Sequence, residues 1–135
     1  MKKIILVSAV LGFVSFAGLT GCAYRSPEMF RDDVSKVFAS KQADMKACYD
    51  GVLKTTPTAG GKVAIAFEVE TEGGKIQNVI VDKTKSTAPA ELGDCVKKNV
   101  EGLVISPPDK RLGQGTAEFD FSPGAAPAAS APAKS

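Results

Sequence analysis

The chain has 135 residues, with 17 Lys or Arg against 15 Asp or Glu, and it contains neither His nor Trp. This balance gives no general basic field for nucleic acid or anionic headgroups, and the absence of His removes the usual base of a hydrolytic triad and a common metal ligand. We therefore expect a small non-enzymatic domain without a cofactor, a metal, a nucleic-acid partner or a small-molecule substrate.

The first 22 residues follow the plan of an export signal. Two lysines precede an apolar run over residues 4–16, which is too short for a stable membrane span, and the run leads to Leu19-Thr20-Gly21-Cys22. These four residues resemble the lipobox of bacterial lipoproteins; the alternative is an ordinary signal peptide with a coincidental Cys. The resemblance implies that residues 1–21 are removed and that Cys22 carries acyl chains such as palmitate.

Lipidation would make Cys22 the membrane anchor and residues 22–28 a short tether. Removal of the leader takes two of the 17 basic residues and leaves 15 against 15 acidic ones, so attachment must come from acyl chains. One chain binds a membrane marginally, whereas two or three bind stably. Ala23, in place of an Asp after the lipidated Cys, resembles outer-membrane sorting, so we expect a periplasm-facing protein on the outer rather than the inner membrane.

A long amphipathic helix is predicted between Met29 and Lys54. Its apolar positions recur at helical spacing, with an interruption only near Lys41, and Pro57 with the Gly60-Gly61 pair ends it. The apolar face comprises Phe30, Val34, Val37, Phe38, Met45, Cys48, Tyr49, Val52 and Leu53.

The next segment predicts a β-hairpin. Residues 62–70 alternate apolar and polar side chains, residues 71–74 supply a glycine-rich turn, and residues 75–82 return as a second strand. The second strand alternates poorly because residues 79–81 are all apolar, which indicates a more buried, central strand.

A second amphipathic helix of roughly 14 residues is predicted to begin near Pro89 and to end before Pro107. Residues 116–121 alternate again and predict a third strand, whereas residues 123–135 are rich in Pro, Ala and Ser and predict a disordered tail. The order α-β-β-α-β over residues 29–122 predicts an α+β fold, with a three-stranded antiparallel sheet and two helices packed on one face.

Cys48 and Cys95 remain as an even pair once Cys22 is taken by lipid. In an exported protein such a pair predicts a disulfide, which here would join the two helices over the sheet. Two free buried thiols remain an alternative. A redox-active pair, which would make the chain a thiol-disulfide exchange enzyme, is another, although reactive pairs more often show C-x-x-C spacing.

The ordered set of these features resembles the AgmX/PglI C-terminal domain, a TonB C-terminal-like module of Gram-negative bacteria. The matching segments are Cys48-Tyr49-Asp50-Gly51-Val52-Leu53, Pro57, Gly61-Lys62-Val63, Gly73-Gly74-Lys75-Ile76, Asp94-Cys95-Val96 and Phe119-x-Phe121. The resemblance covers about residues 30–122 and implies a periplasmic protein-interaction module without catalytic residues. TonB's membrane helix and long spacer have no counterpart here, so we do not expect energy transduction; a purely structural envelope lipoprotein is the alternative.

A small sheet offers the backbone of its edge strands to other proteins. We predict that the strand over residues 116–121 is such an edge and pairs with an extended segment of an envelope protein; the first strand is the other candidate. The residues predicted to form this edge are Thr116, Glu118, Phe119 and Phe121. Glu68, Glu70 and Glu72 share one face by the period of two, which we interpret as a solvated surface rather than a cation site.

Overall fold

The computed structural model describes residues 25–133, the last three by their backbone alone. The described part comprises α1 (Pro27–Ala39), α2 (Gln42–Thr55), β1 (Gly61–Val69), β2 (Ile76–Val81), α3 (Ala90–Val100), β3 (Gly113–Phe121) and β4 (Ala128–Ala133). The strands form one antiparallel sheet in the order β2-β1-β3-β4. The predicted leader, the lipidation site at Cys22 and the start of the tether lie outside the described residues.

The α+β class agrees with the prediction, but the arrangement with two helices is wrong, since the first predicted helix is two. At the break the Ser40 hydroxyl donates to the Val37 carbonyl over 2.6 Å. The Lys41 N–H reaches only the Phe38 carbonyl, at 3.0 Å, three residues back. These local bonds tighten and end α1. Both helices bury apolar residues in the same core, so their burial pattern continues across the break.

The three-stranded sheet is wrong as well, because residues 128–133 of the tail form β4. This strand lies antiparallel to β3, with Glu118 opposite Ser130 and Phe119 opposite Ala129. The amide side chain of Gln42 on α2 donates to the Pro127 carbonyl over 2.7 Å and holds the start of the segment. Ala, Pro and Ser have low strand propensity, so the pairing comes from the neighbouring backbone rather than from the composition of the tail.

The inner strands of the sheet are β1 and β3, not β2. β1 pairs with β3 over nine consecutive positions, from Gly61 opposite Phe121 to Val69 opposite Gly113. The pairing between β1 and β2 shifts register between Ala66 and Glu68. This shift explains the poor alternation of β2, which is an edge strand whose Ile80 is 64% exposed.

The core lies between the helices and one face of the sheet. Inward residues of β1 and β3 meet the apolar stripes of all three helices in a single cluster. At its centre the ring of Phe38 packs against the rings of Phe67 and Phe119, with centroids 5.5 Å apart in both pairs. Tyr49 packs on Phe121 and donates its hydroxyl to the Ala59 carbonyl over 2.7 Å. None of the described helices has the length and apolar character needed to cross a bilayer.

Candidate functional site

The outer edge of β3 is the interaction surface predicted from sequence, and in this structure β4 covers it. Thr116 and Glu118 lie on the face away from the core, where the Glu118 carboxylate pairs with Lys62 over 2.8 Å. Phe119 and Phe121 are 1% and 2% exposed and belong to the core. An incoming strand could therefore reach this backbone only in place of β4, and Phe119 would line the groove beneath it.

The strand that covers this edge fills its groove poorly. A cavity of about 350 Å³ remains between α1, α2, β3 and the tail. Phe38, Met45 and Phe119 line it on the side of the domain, and Pro127, Ala128 and Ala129 line it on the side of the tail. Small side chains on β4 thus leave the side of these core residues that faces the tail incompletely packed.

The opposite edge of the sheet is partly blocked. The Ile76 N–H donates to the Leu103 carbonyl over 2.7 Å, and the Gly102 N–H donates to the Ile76 carbonyl over 2.8 Å. Asn78, further along β2, has a φ of 52°, which interrupts the extended backbone. Because the start of β2 is covered and its middle is irregular, the edge formed by β3 and β4 is the better place for strand addition.

The structure brings Cys48 on α2 and Cys95 on α3 together, as the disulfide prediction requires. Their sulfur atoms are at bonding distance and their Cα atoms are 6.1 Å apart. The side-chain amide of Asn99 donates to the Cys48 sulfur over 3.2 Å and to the Cys95 carbonyl over 3.0 Å. The sequence reasoning missed Asn99; its place four residues after Cys95 on an amphipathic helix was the available signal.

The glutamate face on β1 carries an internal hydrogen-bond network. Glu68 accepts from the Asn78 side chain over 2.7 Å and from the Gln114 side chain over 3.2 Å, and these partners lie on the two neighbouring strands. Within residues 25–133 no group of three or more His, Cys, Asp or Glu side chains is arranged to hold a metal ion.

A second polar cluster, which the sequence did not indicate, lies where the described chain begins. The Arg25 guanidinium is buried and its Nε is 2.9 Å from the Asp33 carboxylate. The Arg25 N–H donates to Asp109 over 3.0 Å, and Arg111 donates to the Arg25 carbonyl over 3.3 Å. The segment before α1 is therefore fixed to the loop before β3.

Asp109 holds these two segments together most strongly as a carboxylate, because the charged form is the better hydrogen-bond acceptor. Burial alone would raise its pKa, but the N–H donors of Arg25 and Arg111 and the nearby Arg111 guanidinium outweigh burial and lower the pKa below its usual value. The stabilisation is then fully present above the unfolded pKa of about 3.9 and is lost as the pH falls through the folded pKa.

We accordingly expect the Arg25 N–H signal to stay constant from neutral pH down to about 4 and to shift only below it. NMR titration of the Asp109 carboxyl carbon and of the Arg25 amide would measure this. In the Asp109→Asn chain the low-pH shift of the Arg25 amide should be lost. A midpoint for Asp109 at or above about 3.9 would contradict the expectation.

Comparison of the chain with models of protein families, with curated proteins and with solved structures gives no match. The resemblance to the AgmX/PglI C-terminal domain therefore stays a prediction, and function has to be argued from the geometry of the domain itself.

Proposed function

We propose that this chain is a lipid-anchored, periplasm-facing lipoprotein whose domain binds an extended segment of another envelope protein by β-strand addition. The supporting observation is that the outer edge of β3 is paired with a strand made of small residues over an underfilled apolar groove. The incoming segment would replace β4 along Thr116–Asp120 and would use the same backbone groups of β3.

The groove sets the chemistry of the incoming segment. Successive side chains of a strand point to opposite faces, so Ala129, which pairs with the buried Phe119, lies on the side of the cavity and lines it. Its small side chain is still exposed there. A larger apolar residue at that place, and at the position two residues away, would enter the cavity. Each added methylene that becomes buried contributes about 0.8 kcal/mol, so a Val or Leu in place of Ala gives a clear advantage over the tail.

The tail has an advantage of its own, because it is part of the same chain. A short tether gives a competing segment an effective concentration in the millimolar range, which a separate partner must overcome. A partner that only reproduced the backbone hydrogen bonds of β4 would lose this competition. The groove therefore favours segments with alternating bulky apolar residues over polar or small ones.

The anchoring part of the proposal depends on Cys22, which precedes the described domain by three residues. Its lipobox-like setting supports acylation, and the chain would then hold the strand-binding domain close to the membrane surface, on the outer membrane as Ala23 favours. The non-enzymatic character of the proposal is in line with the resemblance to an interaction module and with a sequence that contains no His.

Deletion of residues 123–135 should strengthen partner binding. With a photoreactive residue at Thr116, in cells of the native host, we expect a several-fold higher yield of a discrete crosslinked species from the deletion chain than from the full chain. The Ala129→Val chain should give a lower yield than the full chain, because a larger side chain fills the cavity and holds the tail in place.

Ile80 provides the matched control position, since it is 64% exposed and lies on β2, at the other side of the sheet. Thermal unfolding of each variant would establish that the domain is folded. Crosslinking that is equal at the two positions, or that does not respond to deletion of the tail, would refute strand addition at β3.

A further inference from the structure

A pocket of about 160 Å³ lies at the beginning of the described chain, and we call it the Arg25 pocket. Its walls include Arg25, Ser26, Phe30, Arg111 and Gln114. Its volume exceeds the roughly 30 Å³ that one water molecule occupies in the liquid, so it has room for a small polyatomic ligand.

The pocket contains a buried cation with donors to spare. Arg25 is 8% exposed, and its Nε is engaged by Asp33 at 2.9 Å. Its two terminal nitrogens, Nη1 and Nη2, are buried and have no hydrogen-bond partner in the part of the chain that the structure describes. Buried guanidinium donors are normally paired, because leaving them unpaired is costly. The fork of Arg25 therefore lacks an acceptor with two oxygens, such as a carboxylate or a phosphate.

Two arginines and a helix N-terminus offer donors to an anion at that place. The two carboxylates that contact Arg25 are already engaged: Asp33 by the Arg25 Nε, and Asp109 by the backbone N–H groups of Arg25 and Arg111. The Arg111 guanidinium lines the same pocket. The N-terminus of α1 also lines the pocket, and there the Ser26 hydroxyl accepts from the Met29 N–H over 3.2 Å. The positive end of the helix dipole adds to the local positive potential. This is a local site in a chain with no general basic field.

We propose that the Arg25 pocket binds the phosphate group of a phospholipid headgroup in the membrane that carries the anchor. The proposal rests on the proposed lipidation of Cys22. Arg25 follows Cys22 by three residues, and a chain reaches at most about 3.5 Å per residue, so their Cα atoms are within about 10 Å. The headgroup layer on each side of a bilayer is about 5–8 Å thick, so the anchor keeps this pocket at the depth of the phosphates.

The test uses the full lipidated chain purified from its membrane and held in non-ionic maltoside micelles. Phosphatidylglycerol added to the micelles should shift the amide signals of Ser26 and Gln114 and the Arg25 Nε–H signal in a saturable way. The Arg25→Gln chain should bind at least about tenfold more weakly, and Arg25→Lys should also lose affinity because it lacks the planar fork. Arg31, an exposed arginine on α1 six residues further along the chain, provides the matched control, and Arg31→Gln should change affinity less than about twofold.

Inorganic phosphate, added at the same phosphate concentration, distinguishes the two sources of this group. Binding as tight as that of phosphatidylglycerol would assign the pocket to a free anion and overturn the headgroup assignment. An equal loss of affinity for phosphatidylglycerol in Arg25→Gln and Arg31→Gln would overturn the site itself. So would the absence of a saturable shift of the NMR signals in the folded wild-type chain. The intact mass of the same preparation reports whether Cys22 carries lipid, so a failure of the anchor is distinguishable from a failure of the pocket.

Discussion

Replacement of Cys48 and Cys95 together by Ser is expected to lower the free energy of unfolding by about 4 kcal/mol. The bond closes a sequence separation of 47 residues, and the chain-entropy model assigns about that amount to a loop of this length. Domains of this size have net stabilities of about 5–15 kcal/mol, so the loss would remove a large share. Urea unfolding of the oxidised and the substituted chains, followed by far-ultraviolet circular dichroism, would measure the difference.

The Asn99→Ala chain serves as the control, because it removes the amide that contacts the Cys48 sulfur but leaves the covalent bond. The loss of stability in this variant should stay near 2 kcal/mol, about 1 kcal/mol for each of the two hydrogen bonds that the amide makes. Mild reductant should not open the bond in the folded chain if its role is structural. Ready reduction with trapping of mixed disulfides would instead support redox exchange through this pair. An unchanged unfolding midpoint in the double Ser variant would contradict the stabilising role.

The second large effect is expected for Phe38→Ala, which should cost about 3–5 kcal/mol of stability. Phe38 is 2% exposed, and its ring contacts both Phe67 on β1 and Phe119 on β3. It also borders the cavity under β4, so its removal would merge a new void with one that already exists. Because the surroundings of such a void relax only in part, we expect the cost toward the upper end of the range.

Met29→Ala is the matched truncation on the same helix. Met29 is 56% exposed, and its loss should change stability by no more than about 0.5 kcal/mol. Chemical unfolding of both chains would measure the two losses of stability. Similar unfolding midpoints for Phe38→Ala and Met29→Ala would mean that the aromatic cluster is not the centre of the core.

Hydrophobic periodicity predicted which residues are buried better than it predicted where elements end. Val34, Phe38, Met45, Tyr49 and Val52 all lie in the core, as the pattern over residues 29–54 indicates. The break at residues 40–41 depends on hydrogen bonds of one hydroxyl and one N–H, which leave the spacing of apolar residues almost intact. Similarly, the shift of register between β1 and β2 disturbs the alternation of apolar and polar residues in β2. The resulting apolar run looks like that of a strand buried on both faces, although β2 is an edge strand.

Strand β4 and the polar cluster around Arg25 could not be predicted from the sequence for a different reason. Both depend on residues that are distant in the chain. Residues 128–133 have no strand pattern of their own and become a strand because β3 offers an unpaired edge. Arg25 meets Asp109 across 84 positions of sequence, and neither residue belongs to a motif. The disulfide is the one specific pair of distant residues that the sequence predicted, because exported cysteines are few and tend to pair.

The placement of the Cys48–Cys95 bond also decides how the domain would respond to mechanical force. If the N-terminus is anchored and a strand is bound to β3, as we propose, a pull between them acts across the sheet in which β1 and β3 pair over nine positions. Even after this pairing is lost, the 47 residues between the two cysteines stay closed in a loop. At about 3.5 Å per residue, the bond withholds about 160 Å of extension, so the domain would lengthen less under force than the same chain without the bond.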